Sequence, residues 1–85
     1  MVPVRLREAR YRANLTQEKL GVLVGIDEST ARSRISYYES GTNSPSFDTA
    51  RKIANVLGIP VCYLYTPEDD LAAIILQIYQ ERNNG

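Results

Sequence analysis

Apolar residues recur along this chain at intervals of three and four, in short blocks separated by glycine, proline and small polar residues. Leu6, Ala9 and Ala13 share one side of a first helix running from about Pro3 to Ala13, with its arginines mostly outward. Asn14-Leu15-Thr16 breaks that pattern. Thr16 is placed to cap a second helix, with Glu18 in its first turn and Leu20, Leu23 and Val24 as its apolar side. Gly25 suits the left-handed position just past its end. Gly21, inside the helix, costs about 1 kcal/mol relative to alanine, which a close approach of another helix would explain.

A third helix is expected from near Glu28 to Ser40, capped by Asp27 and stopped by Gly41, and Thr42-Asn43-Ser44-Pro45 reads as a loop. Ser46 caps a fourth helix, whose Phe47, Ala50, Ile53, Ala54 and Leu57 form one stripe before Gly58 ends it. Pro60 opens a short fifth helix carrying Val61, Leu64 and Tyr65. Thr66-Pro67-Glu68-Asp69 combines a cap, a proline at the first helical position and early acidic residues. A sixth helix follows to about Tyr79, and Glu81–Gly85 is expected to fray. No stretch carries a strand signal. The fold class is all-α.

Eighty-five residues make one domain with a small core. No apolar run approaches the roughly 20 residues of a membrane helix. Met1-Val2-Pro3-Val4-Arg5 lacks the apolar centre of a signal peptide, so the expected location is cytoplasmic, with no membrane partner. A single cysteine rules out an intrachain disulfide, and with no histidine present no metal site is expected. Cys62, between Val61 and Leu64, reads as a small buried core residue. There is no Gly-rich phosphate loop and no pair of carboxylates placed across a cleft. Glu68, Asp69 and Asp70 crowd a helix start, where they complement its dipole. No catalytic residue and no cofactor are assigned, and an enzyme is the weakest class.

The formal net charge is zero, but it is segregated. Residues 1–55 carry nine basic and six acidic side chains, against one basic and four acidic in residues 56–85. A neutral protein of this kind can still present a positive face. The third helix shows what such a face would display. At 100° per residue Ala31, Ile35 and Tyr38 point to the core, while Thr30, Ser33, Arg34 and Tyr37 point away, flanked by Ser29, Ser36 and Ser40. Hydroxyls can bond base edges and phosphates, and arginine can pair bidentately with guanine. A merely solvated polar face is the plainer alternative.

Leu6-Arg7-Glu8-Ala9-Arg10, Leu15-Thr16-Gln17-Glu18-Lys19-Leu20, Ile35-Ser36-Tyr37-Tyr38-Glu39-Ser40-Gly41, Pro45-Ser46 and Ile53-Ala54-Asn55-Val56-Leu57-Gly58 follow in an informative order and spacing. Together, over residues 6–65, they resemble the lambda-repressor-like, xenobiotic-response-element type of helix-turn-helix regulator. The segments Gln17–Glu28 and Tyr63–Leu71 are most similar to controller proteins of restriction–modification systems. The resemblance implies a five-helix DNA-binding domain over residues 1–66, with a C-terminal dimerisation helix and frayed tail over 67–85. It also implies a homodimer on double-stranded DNA, at a pseudo-palindromic operator. An antitoxin or protein-interaction module on the same fold is the alternative.

Carried over by the resemblance, Gln17 would clamp a phosphate, helped by the start of its helix. Arg32, Ser33, Arg34, Ser36 and Tyr37 would face DNA from the recognition helix, and Asn43 and Ser44 would touch the other phosphate strand. Arg10 and Glu39 match a pair linking the first helix to the third. One departure is a Gly25–Glu39 interval four residues longer than the family's, about one helical turn. Asp27–Thr30 therefore reads as a longer approach to the recognition helix. On the sixth helix Leu71, Ile74, Ile75 and Ile78 form a stripe suited to a two-fold partner, unless part of it packs back on its own domain.

Overall fold

Side-chain caps begin three of the five α-helices in the computed structural model, which describes residues 1–84. Helix α1 (Pro3–Arg12) starts on a proline, whose missing N–H would have had no helical partner. Asn14, at φ 57°, turns the chain toward α2 (Gln17–Leu23), where Thr16 Oγ1 accepts from the Lys19 N–H at 3.0 Å. Helix α3 (Glu28–Ser40) begins with Asp27 accepting from the Ser29 N–H at 2.9 Å and ends at Gly41, φ 78°. Helix α4 (Phe47–Leu57) is capped by Ser46. A 3₁₀ helix (Val61–Tyr65) leads to α5 (Asp69–Asn84). No strand occurs among the described residues, so the all-α class holds.

Leu6, Leu20, Ile35, Ile53, Tyr63 and Leu64 are the largest wholly buried side chains, drawn from α1 to α4 and the 3₁₀ helix. Helix α3 turns one side to this core and packs against α2 and α1. At Gly21 the α2 backbone comes so near α3 that a Cβ would sit 2.6 Å from the Ala31 Cβ. This close approach accounts for a glycine in the helix interior. Helix α5 commits much less of itself. Ala72 and Leu76 are buried, and Ile75 packs on the core in part.

Several expectations need correction. Of the four α1 arginines only Arg7 and Arg12 face outward; Arg5 and Arg10 are buried because partners on distant segments meet their guanidinium groups. Leu23 and Phe47 leave the core, and the Phe47 ring rests against Tyr65 with centroids 6.1 Å apart. Cys62 is exposed and not buried. With three residues per turn, the 3₁₀ helix sends Tyr63 and Leu64 inward and turns Cys62 out. The Thr66 hydroxyl donates to the Cys62 carbonyl at 2.8 Å and caps nothing, so α5 starts at Asp69. It then continues through Asn84, well past Tyr79; Gly85 lies outside the described residues.

The Gly21 contact sets two effects against each other. Alanine would gain about 1 kcal/mol of helix propensity, but its Cβ would also lie 2.9 Å from the Ala31 carbonyl oxygen, and backbone does not yield easily. Gly21→Ala is expected to lower stability by about 1–3 kcal/mol in urea unfolding, as overpacking does.

Candidate nucleic-acid interface

The core takes one side of α3: Ala31, Ile35, Tyr38 and Glu39 are buried, while Ser29, Thr30, Arg32, Ser33, Arg34, Tyr37 and Ser40 are exposed and Ser36 is half-buried. The adjacent tyrosines divide as their phase requires, Tyr38 at 7% exposure and Tyr37 at 49%. From Ser29 to Tyr37 there is no lysine and no acid. The outward strip is thus made of hydroxyls and two arginines.

Those arginines lie on opposite flanks of the strip. Arg32 lines a shallow depression with Tyr11, Thr16, Gln17 and Glu18, at the start of α2. Arg34 lines another with Asp27, Thr30, Thr49 and Lys52, between α3 and α4. Neither forms an ion pair among the described residues. Asn43 and Ser44 are exposed in the loop after α3, and the Asn43 N–H donates to the Tyr37 carbonyl at 3.2 Å. The structure thus brings Gln17 beside Arg32 on one flank and ties Asn43 to α3 at Tyr37, with Ser33 and Ser36 on the helix between the flanks, Arg34 at the α4 edge and Ser44 exposed in the following loop. Lys52, across from Arg34, was not legible as a neighbour, because no local pattern relates α4 to α3.

Beneath this surface Glu39 is buried and shared. Arg10 donates from Nε to its Oε2 at 2.6 Å and from Nη2 to its Oε1 at 3.1 Å. Gln17 Nε2 donates to the same Oε1 at 3.1 Å, and Arg7 stands 3.6 Å away. Arg10 Nη1 also donates to the Leu15 carbonyl at 2.9 Å. The pairing of Arg10 with Glu39 is thus present, and Gln17 has one amide N–H committed to the carboxylate. That bond leaves its second N–H and its carbonyl oxygen for an external partner.

Charge in the site follows these contacts. The bond to Glu39 raises the Arg10 pKa further, and its guanidinium lies 4.7 Å from the Tyr11 ring centroid. Hydrogen bonds from the Ser29 hydroxyl and N–H hold the Asp27 carboxyl below its ordinary value.

A family profile described as Helix-turn-helix matches residues 6–64. The cryptic phage CTXphi transcriptional repressor RstR of Vibrio cholerae is 29% identical over 69 residues, which cover 81% of this chain and 59% of that protein. The chain thus matches less than two thirds of the length of this curated relative. The crystal structure of the transcriptional regulator BswR superposes with a TM-score of 0.91 at 46% identity, covering 93% of this chain and 78% of the other.

The tyrosine pair gives a clean check of the helix phase. Tyr38→Ala is expected to lose about 3–5 kcal/mol in chemical denaturation, as large buried aromatics do. Tyr37→Ala is expected to melt with the unmodified protein. Similar losses for both would mean that α3 is rotated from the phase described.

Proposed function

Because the chain belongs to the helix-turn-helix family, matched over residues 6–64, we propose that it is a sequence-specific DNA-binding transcription regulator that reads the major groove with α3. The observation that carries this reading is the outward strip of α3, with exposed hydroxyls between two arginines that have no ion-pair partner among the described residues. Ser33, Ser36 and Tyr37 are its base-facing residues. Arg32 and Arg34 reach guanines or phosphates on either side, and Gln17, Asn43 and Ser44 hold the two backbones. The names of the two relatives, a transcriptional repressor and a transcriptional regulator, support a role in transcriptional control.

The protein acts as a homodimer on a pseudo-palindromic operator in the cytoplasm. Leu71, Ile74 and Ile78 support this, since they form an exposed apolar line on α5, while Ile75 is divided between that line and its own core. Each such side chain, once covered, contributes roughly 1.5–3 kcal/mol, against which the entropy of association must be set. A two-fold axis along α5 would present two copies of α3 to successive major grooves. A controller role in a restriction–modification system is the narrower reading and rests on the segments Gln17–Glu28 and Tyr63–Leu71.

Titration of a duplex selected from a random pool, beside an unselected duplex, tests the reading. Arg32→Ala and Arg34→Ala are each expected to lose about 1–3 kcal/mol on the selected duplex and much less on the other. Equal weakening on both would make that arginine a phosphate contact, and equal binding of the unmodified protein to both would contradict sequence-specific reading. For assembly, Ile78→Asp is expected to give a folded monomer in sedimentation at micromolar concentration. A fully dimeric variant would move the interface off this line.

A further inference from the structure

Helix α5 is a lever on a narrow base. Its sixteen residues extend about 24 Å, yet only Ala72 and Leu76 are fully buried against the body. Its direction therefore depends on the joint between the 3₁₀ helix and Asp69. Arg5 fills that joint. Its guanidinium donates from Nε to the Thr66 carbonyl at 2.8 Å, and from Nη2 to the Pro67 carbonyl at 3.0 Å and to Asp69 Oδ1 at 2.8 Å. Nη1 donates to Glu8 Oε2 at 3.3 Å, and the same oxygen accepts from the Tyr63 hydroxyl at 3.0 Å. Helix α1 thus holds the connecting segment at Tyr63, Thr66, Pro67 and Asp69.

Stability alone does not call for this arrangement, because an apolar side chain of similar size often serves a buried site as well as an ion pair. What the guanidinium adds is direction, since its planar fork fixes several acceptors relative to one another. Thr66 and Pro67 precede the helix. Asp69 is the one acceptor inside α5, and its side chain is 94% exposed, so it adds nothing to the core.

We propose that Arg5 is a positioning residue that sets the angle between the DNA-reading body and α5, acting through Asp69. In the dimer, that angle determines which half-site spacing is accepted; the inference rests on the dimeric reading above. A tilt of about 5° at the base would move the far end of a 24 Å helix by about 2 Å. That is over half the 3.4 Å step between base pairs, and the two-fold axis applies it to both halves.

The test uses the selected palindromic duplex and versions with one or two base pairs added or removed at its centre. The unmodified protein, Asp69→Ala and Arg5→Lys are titrated against each, with sedimentation run alongside. The unmodified protein is expected to prefer its own spacing by about ten-fold or more, since a mismatch must be met by deforming DNA. Asp69→Ala is expected to dimerise and melt normally while the preference falls below about three-fold. Arg5→Lys, which keeps the charge and loses the fork, is expected to relax the preference in the same way. An Asp69→Ala dimer as selective as the unmodified protein overturns the inference, and so does loss of dimerisation by a folded Asp69→Ala. If the unmodified protein itself sediments as a monomer, the dimeric reading falls and takes this inference with it, a failure seen before any variant is made.

Discussion

The buried carboxylate of Glu39 is the contact on which the reading head depends. It belongs to the last turn of α3, accepts from Nε and Nη2 of Arg10 on α1 and receives Gln17 from the start of α2. The same guanidinium reaches the Leu15 carbonyl in the turn between α1 and α2. Three helices and their connection are therefore positioned around one charge. Such a pair adds little net stability, because desolvation offsets the attraction, but losing one partner strands the other at a cost of about 3 kcal/mol or more. Its value here is orientation: Gln17 and the outward strip of α3 are held in fixed relation because the same carboxylate anchors both elements.

Packing does the rest. Gly21 lets α2 lie directly on Ala31, and this close seat leaves α3 no freedom to roll between the core and solvent. Ile35 and Tyr38 then fill the interior, so Tyr37 between them faces out and Ser36 lies half-buried. Short hydroxyl side chains on that strip allow the helix backbone to come near a partner surface, and the arginines at its flanks supply reach. Helix α5 stands apart from this scheme, joined through Arg5 and two buried side chains.

Local signals made much of this legible in the sequence. Thr16, Asp27 and Ser46 act as caps where side-chain chemistry favours them, and the phase of Tyr37 against Tyr38 follows from helical geometry alone. The missed features share a different origin. Arg5 looks like a surface arginine until residues more than sixty positions away close over it. Cys62 looks like a core residue from its apolar neighbours, whereas the three-residue turn sends it and Tyr65 outward. Phe47 sits at a helix start, where the stripe has not yet reached the core, and finds Tyr65 instead. The flank on which each arginine lies depends on α2 and α4, which no pattern within α3 reveals.

The central claim is that α3 enters the major groove in two copies related by a two-fold axis. Dimethyl sulfate protection tests it most directly, because guanine N7 lies only in the major groove. On the selected duplex the account predicts two protected clusters of guanine N7, about one helical turn apart. Unprotected guanines in a bound complex, or a single protected cluster, would contradict it.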